Sequence, residues 1–205
     1  MNVSLKFISP KKLVVNGIRI CWKSEGLSDS VGDVLGVKDS ELIRRIIKFG
    51  HVSTFEHSLI TFDIDEISRA VLQELSRHRI GVSPSVQSSR YTLSKIINGE
   101  CEVSDLLVKT GNELIDNLNI EHMEKLKKIL QENSIPNDIA KYGIVESYKV
   151  KEQISFNFRS FREFLKLRIS HKALWEIRDL ANAMYEQIPK SYHIFFEDIV
   201  EVRND

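Results

Sequence analysis

The stretch Arg77-His78-Arg79-Ile80-Gly81-Val82-Ser83-Pro84-Ser85-Val86-Gln87-Ser88-Ser89-Arg90-Tyr91 gathers three arginines, one histidine and four serines around a glycine and a proline. Guanidinium forks, hydroxyls and free backbone N–H groups are what a phosphate needs, and Gly81 and Pro84 let the backbone leave a helix and curve round a ligand. The stretch reads as a loop that forms a nucleotide site. Further on, Ile154, Phe156 and Phe158 alternate with Ser155, Asn157 and Arg159, the pattern of a strand that presents Asn157 and Arg159 together on the face opposite its aromatic side chains. Phe161, Phe164, Leu165 and Arg168 then fall at i, i+3, i+4 and i+7, which puts an arginine on the apolar stripe of a helix. That guanidinium needs an acceptor, either a carboxylate such as Asp179 or Glu176 or a ligand oxygen. Because it stays protonated, its role is electrostatic and not that of an acid or base.

Other reactive residue types carry less. Ser88 has no histidine and carboxylate pair near it in sequence that would activate it as a nucleophile. His51, His57 and His78 lack a fourth ligand at suitable spacing, so no metal is expected. His122, His171 and His193 read as surface or capping residues. Cys21 and Cys101 form no C-x-x-C pair, and no basic partner activates Cys21; both read as ordinary buried or loop thiols of a reducing cytoplasm.

These groups must be held by a chain of 205 residues whose 42% hydrophobic content suits one domain with a substantial core. Its 29 Lys and Arg against 29 Asp and Glu leave a formal net charge of +0, which argues against a broad nucleic-acid or membrane footprint and makes the basic stretch a focused site. No signal peptide, lipidation motif or membrane-spanning apolar run is evident, so a soluble protein is expected. No internal repeat, linker or low-complexity tract divides the chain.

The elements follow from periodicity. Val3 to Ile8 reads as a strand, with a helix from about Lys11. Gly26 to Gly36 reads as a loop, and Leu42, Ile43, Ile46 and Ile47 mark a helix ending at Gly50. His51 to His57 is a polar junction leading to a strand at Ile60, Phe62 and Ile64. A helix from about Glu66 buries Ile67, Ala70, Val71, Leu72 and Leu75 and delivers Arg77 to Arg79 at its C-terminal end, where cations are favoured. The segment from about Glu102 to Asn133 is helical in pattern with no identifiable chemistry. Pro136-Asn137-Asp138 restarts a short helical run through Lys141 and Tyr142. The chain closes with a helix carrying Leu174 to Ile188 and a shorter one near Phe195 to Val202.

Three separated stretches together resemble the flavin-dependent thymidylate synthases. They are the Arg-His-Arg stretch ending in Ser88-Ser89-Arg90-Tyr91; Gly50-His51-Val52-Ser53-Thr54-Phe55-Glu56-His57; and Asn157-Phe158-Arg159 followed by Leu165-Lys166-Leu167-Arg168, with a tryptophan-containing helix (His171 to Ile177) after the last. The resemblance spans about residues 15 to 200. It implies an α+β fold with a central, mostly antiparallel sheet flanked by helices, in a single domain (1–205) that forms a homotetramer with its sites at subunit interfaces. It also implies methylation of dUMP at C5 to dTMP, with 5,10-methylenetetrahydrofolate as carbon donor and FAD, reduced by NADPH, as hydride source. Carried over position by position, His51, Ser53, Arg77, His78, Arg79, Asn157, Arg159 and Glu163 match the flavin and folate end of the site. Gln73, Glu74, Arg77, Gln87, Ser88, Ser89, Arg90 and Lys141 match the nucleotide site, and Arg168 matches the arginine on the uracil ring. Adding an electrophile at C5 requires electron density there, and a guanidinium against a ring oxygen would stabilise the enolate-like charge on the ring that supplies it.

Four departures from the family pattern stand out. The interval from Arg79 to Arg90 is one residue longer, with Pro84 as the insertion. Glu74 stands where glutamine is common, and an anion there would repel a phosphate unless Gln73 turns inward. Lys141 replaces an arginine, keeping the charge without the bidentate fork, and Glu163 replaces a flavin-contacting asparagine. Two other readings remain: a non-catalytic nucleotide- or RNA-binding protein using the same basic stretch, and a flavoprotein of this fold that has lost methylation.

Overall fold

The strands β1 (Asn2–Ile8), β2 (Leu59–Ser68), β3 (Val82–Val86) and β4 (Lys149–Asn157) form one four-stranded sheet of order β1-β2-β4-β3, and burial alternates with period two along β2 and β4. The computed structural model describes residues 1–201, except for the side chains at 95, 96 and 201. Every pairing in the sheet is antiparallel. Lys6 meets Asp63 at 3.3 Å while Asn2 meets Glu66 at 3.1 Å, and Thr61, Asp63 and Asp65 face Ser155, Gln153 and Lys151 in turn. Asn157 N donates to Gly81 O and Gln87 N to Lys151 O, each at 2.8 Å, which sets the register of β3 on β4.

The helices are α1 (Lys11–Cys21), α2 (Val37–Lys48), α3 (Arg69–Leu75), α4 (Ser89–Ile97), α5 (Glu113–Glu132), α6 (Asn137–Ala140), α7 (Phe158–Arg168), α8 (Trp175–Glu186) and α9 (Glu197–Glu201). The fold is α+β, as expected. Several boundaries differ from the sequence reading, each for a local reason. β2 runs on through Glu66, whose φ of 61° kinks the strand, and the following helix starts at Arg69 because Ser68 Oγ caps Val71 N at 3.1 Å. His51 to His57 is not simply a junction, since Val52–His57 forms a 3-10 helix and the strand begins at Leu59. Phe158 opens α7 and does not continue β4, and Trp175 opens α8, so His171 to Ala173 precede that helix. Phe195 closes a 3-10 helix, Lys190–Phe195, with α9 beyond it; Val202, placed at the end of that helix by sequence, lies outside the described residues.

The largest correction falls in the basic stretch. It is not one open loop: residues 82–86 are a strand and residues from Ser89 a helix. Pro84 fits because β3 is an edge strand, where a missing N–H need leave no ladder bond unmade. The strand is mostly exposed, so it shows no hydrophobic alternation to read.

The chain clusters into two compact units interleaved in sequence. One gathers Met1–Asn2, Ile64–Arg77 and Ser85–Glu152; the other gathers Val3–Asp63, His78–Pro84 and the chain from Gln153 onward. β2 and β4 each contribute residues to both. The first unit buries Val71, Leu75, Leu93, Val103, Met123 and Tyr148. The second is organised round phenylalanines. Phe161 lies 5.5 Å from Phe156 and 5.3 Å from Phe196, and Phe158 lies 5.3 Å from Phe195, pairs that each add about 1 kcal/mol beyond area burial. Among the described residues no helix is long and apolar enough to cross a membrane.

Candidate functional site

Within the second unit, α1, α2 and the 3-10 helix at 52–57 enclose a cavity of about 360 Å³. Ile18 and Ile46 supply its apolar wall; His51, Ser53, Thr54 and Arg159 supply polar groups. Gly50, at φ 71°, reverses the chain after α2 and brings His51 and Ser53 to the rim, where both are exposed. Thr54 Oγ1 is buried and has no hydrogen-bond partner, so the wall holds an atom that a ligand with a polar edge would satisfy. Arg159 Nη1 donates to Glu56 Oε1 at 2.5 Å. Trp22, passed over in the sequence, and Cys21, read there as an ordinary thiol, also line this cavity; Cys21 is exposed at the end of α1. Periodicity does not mark Trp22, which lies just past the end of α1 and is 45% exposed.

A second cluster forms where residues 78–81 meet α7. Arg168 Nε donates to His78 Nε2 at 3.0 Å, and the His78 ring packs edge-to-face on Phe164, with centroids 5.2 Å apart. Gly81, at φ 65°, lies so close to the start of α7 that a Cβ there would come within 2.1 Å of Asn157 Nδ2 and 2.5 Å of Ser160 Oγ. Ser160 Oγ donates to Ile80 O at 2.6 Å, a contact the sequence reading missed. Asn157 is not exposed on a strand face beside Arg159. It is buried as the N-cap of α7, its Oδ1 accepting from Ser160 N at 2.7 Å, while Arg159 sits in the first helical turn. Arg79 and Glu163 are both exposed.

The first unit holds the remaining candidates. Arg77 Nη1 lies 3.6 Å from Glu74 Oε2, one helical turn back, so the Glu74 carboxylate has a cation beside it. Gln73 Nε2 donates to Glu146 Oε2 at 2.9 Å. Gln87 ends the pairing of β3 with β4, and Ser88, Ser89 and Arg90 lie at the N-terminal end of α4, where backbone N–H groups are unpaired by the helix itself. Ser89 is buried and Arg90 exposed. Asn137 Nδ2 donates to Arg90 O at 2.9 Å, tying α4 to α6, which half-buried Lys141 follows as the first residue of a 3-10 turn. Asn137 had no site signal in the sequence, because its role depends on a residue 47 positions away. Among the described residues no group of three or more His, Cys, Asp or Glu is placed to hold a metal ion.

Comparison with known proteins agrees with the pattern of residues. The family Thy1, described as thymidylate synthase complementing protein, matches residues 5–192. A flavin-dependent thymidylate synthase of Campylobacter jejuni (strain RM1221) is 46% identical over 205 residues, covering 96% of each chain. Another, from Helicobacter pylori (strain ATCC 700392 / 26695), is 41% identical over 98% of this chain and 100% of its own. The crystal structure of thymidylate synthase X from Helicobacter pylori with FAD and dUMP superposes with a TM-score of 0.89 at 40% identity, covering 98% of this chain and 100% of that one. With a family match running through most of its length and relatives of this identity spanning nearly all of it, this chain belongs to the flavin-dependent thymidylate synthases.

Proposed function

We propose that this chain methylates dUMP at C5 to give dTMP, taking its carbon from 5,10-methylenetetrahydrofolate and its reducing equivalents from NADPH by way of FAD. It does so as a cytoplasmic homotetramer in which the whole chain acts as one domain, with no nucleic-acid or membrane partner. The observation that carries this reading is the bond between Arg168, the candidate for the uracil ring, and His78, the middle of the Arg-His-Arg tripeptide.

The residues present fit a flavin. The cavity beside His51, Ser53 and Arg159 offers a cation, a hydroxyl and the unpartnered Thr54 Oγ1, a donor and acceptor set suited to the polar edge of a flavin ring. His78, Arg79, Asn157 and Glu163 belong to the same candidate set. FAD, when bound, supplies the hydride that completes the methyl group.

For dUMP, Ser88, Ser89 and Arg90 at the start of α4 combine hydroxyls, a guanidinium and helix N-terminal amides, the combination that binds phosphate. Lys141 adds a point charge, and Gln73, Glu74, Arg77 and Gln87 serve the same nucleotide. The pairing of Glu74 with Arg77 offsets the repulsion that a lone carboxylate would exert. Arg168 stabilises enolate-like negative charge on a ring oxygen, the form in which C5 is electron-rich enough to attack, and that charge passes to the electrophile as the new bond forms.

The purified protein, with FAD added, is expected to show a bound-flavin absorbance spectrum and to release tritium from 5-tritiated dUMP when NADPH and methylene-folate are supplied. Failure of both overturns the reading.

A further inference from the structure

We infer that His78 is a positioning residue for Arg168: as a neutral imidazole protonated on Nδ1, it accepts the Arg168 Nε–H bond through Nε2 and fixes the plane of the guanidinium. The inference rests on the proposed function, in which that guanidinium acts on the pyrimidine of dUMP.

The tautomer follows from donor inventory. An arginine stays protonated and its Nε is only a donor, so the atom 3.0 Å away must accept. In an imidazolium both ring nitrogens are donors, and in the neutral ring protonated on Nε2 that atom is a donor as well. Only the Nδ1–H form satisfies the contact.

The ring is also held in place. Phe164 and Arg168 are four residues apart on α7 and therefore on the same face, so one helical turn grips the imidazole twice. Phe164 packs against it at an interplanar angle of 76°, and Arg168 bonds its edge. Phe164 is itself fully buried, 5.3 Å from Phe156 and 5.9 Å from Phe161, so the surface against which the imidazole rests is rigid. Behind His78 the chain is pinned to the start of α7 by the bonds from Ser160 Oγ to Ile80 O and from Asn157 N to Gly81 O. A long, flexible arginine at the end of a helix is thereby anchored to a rigid ring, which lowers the rotamer freedom it must lose when it engages a planar ligand. The same histidine, the middle residue of the Arg-His-Arg tripeptide, is thereby tied to Arg168.

The test uses the full chain with FAD added and compares His78→Phe with His78→Gln. Phe keeps a ring against Phe164 but offers no acceptor; Gln offers an amide oxygen. dUMP binding is read from its perturbation of the flavin spectrum. His78→Phe is expected to weaken dUMP binding about tenfold, the loss of one charge-assisted hydrogen bond, and to lower kcat, with His78→Gln recovering most of both. Wild-type dUMP affinity in His78→Phe overturns the inference. A ligand-independent reading comes from 15N-histidine spectra of the wild-type protein at neutral pH, with Arg168→Leu as the reference that removes the donor. A protonated Nδ1 and a bare Nε2 that shifts on Arg168→Leu are expected; a protonated Nε2 overturns the inference. These spectra decide the matter even if His78→Phe sheds its flavin. A wild-type protein that binds neither FAD nor dUMP refutes the proposed function instead, and leaves the spectra to judge the His78 contact itself.

Discussion

Gly81 stands against Asn157 so closely that any β-carbon at position 81 would lie 2.1 Å from the amide nitrogen of the residue that caps α7. The position also has φ 65°, in the left-handed region that a side chain disfavours by about 1–2 kcal/mol. Gly81→Ala is therefore expected to destabilise the protein by about 2 kcal/mol or more and to displace residues 78–81 from α7. Thermal unfolding checks the first effect and flavin retention on gel filtration the second.

Arg168 and Arg79 should separate chemistry from cofactor binding. Arg168→Ala is expected to lower methylation by about a hundredfold or more while flavin content persists, the usual scale for losing a group that stabilises developing charge. Arg79→Ala is expected to release flavin on dilution. Steady-state rates beside flavin absorbance make the distinction, and an Arg168→Ala enzyme with wild-type turnover would remove the ring-activation role.

Glu152 supplies a pH dependence. It points into the core from β4, 1% exposed, and neither carboxylate oxygen has a hydrogen-bond partner; burial pushes its pKa from 4.5 up to about 7. The folded state then binds more protons than the unfolded one between these values, so stability falls as pH rises through that window and levels off above about 7. Glu152→Gln is expected to match the wild type near about pH 5 and to exceed it at about pH 8 by on the order of 2–3 kcal/mol. Denaturant unfolding at the two pH values is the check.

Asp39 behaves in the opposite sense. It is fully buried and accepts from Arg19 Nε at 2.9 Å, Ser28 Oγ at 2.6 Å and Ser30 Oγ at 2.5 Å, anchoring the loop before α2. Burial alone would raise its pKa, but the hydrogen bonds from Ser28, Ser30 and Arg19 outweigh that and hold it below the ordinary value. Its contribution to stability is present above the unfolded carboxylate pKa and is lost as pH falls through the lower folded value. Arg19→Ala, which leaves the buried carboxylate without its counter-charge though still bonded to Ser28 and Ser30, is expected to cost about 3 kcal/mol, measured by the shift in the denaturant midpoint.

Much of the fold was legible because period-two and period-3.6 patterns register burial directly. The strands β1 and β2, the helices α1, α2 and α7, and the polar break at Gly50 all appear as such. β3 and α4 did not, because an edge strand that is mostly exposed has no apolar face to announce it, and the glycine, proline and serines imitate a loop. Asn157 was misread for a related reason. Alternation continues to Phe158 in sequence, but an asparagine that can cap a helix ends the strand where its side chain finds Ser160 N.

The sequence by itself determined the residue types of the site, their order and the family to which they belong, because guanidinium, hydroxyl and imidazole groups at these spacings are chemical facts before any folding. Only the tertiary structure decided which of them meet. His78 and Arg168 are 90 positions apart, and their bond exists because β4 pairs with the segment leading into β3 and α7 turns its Phe164 and Arg168 face toward it. Local periodicity carries no record of such a contact, since it depends on how strands register against one another and on a glycine small enough to let two backbones meet.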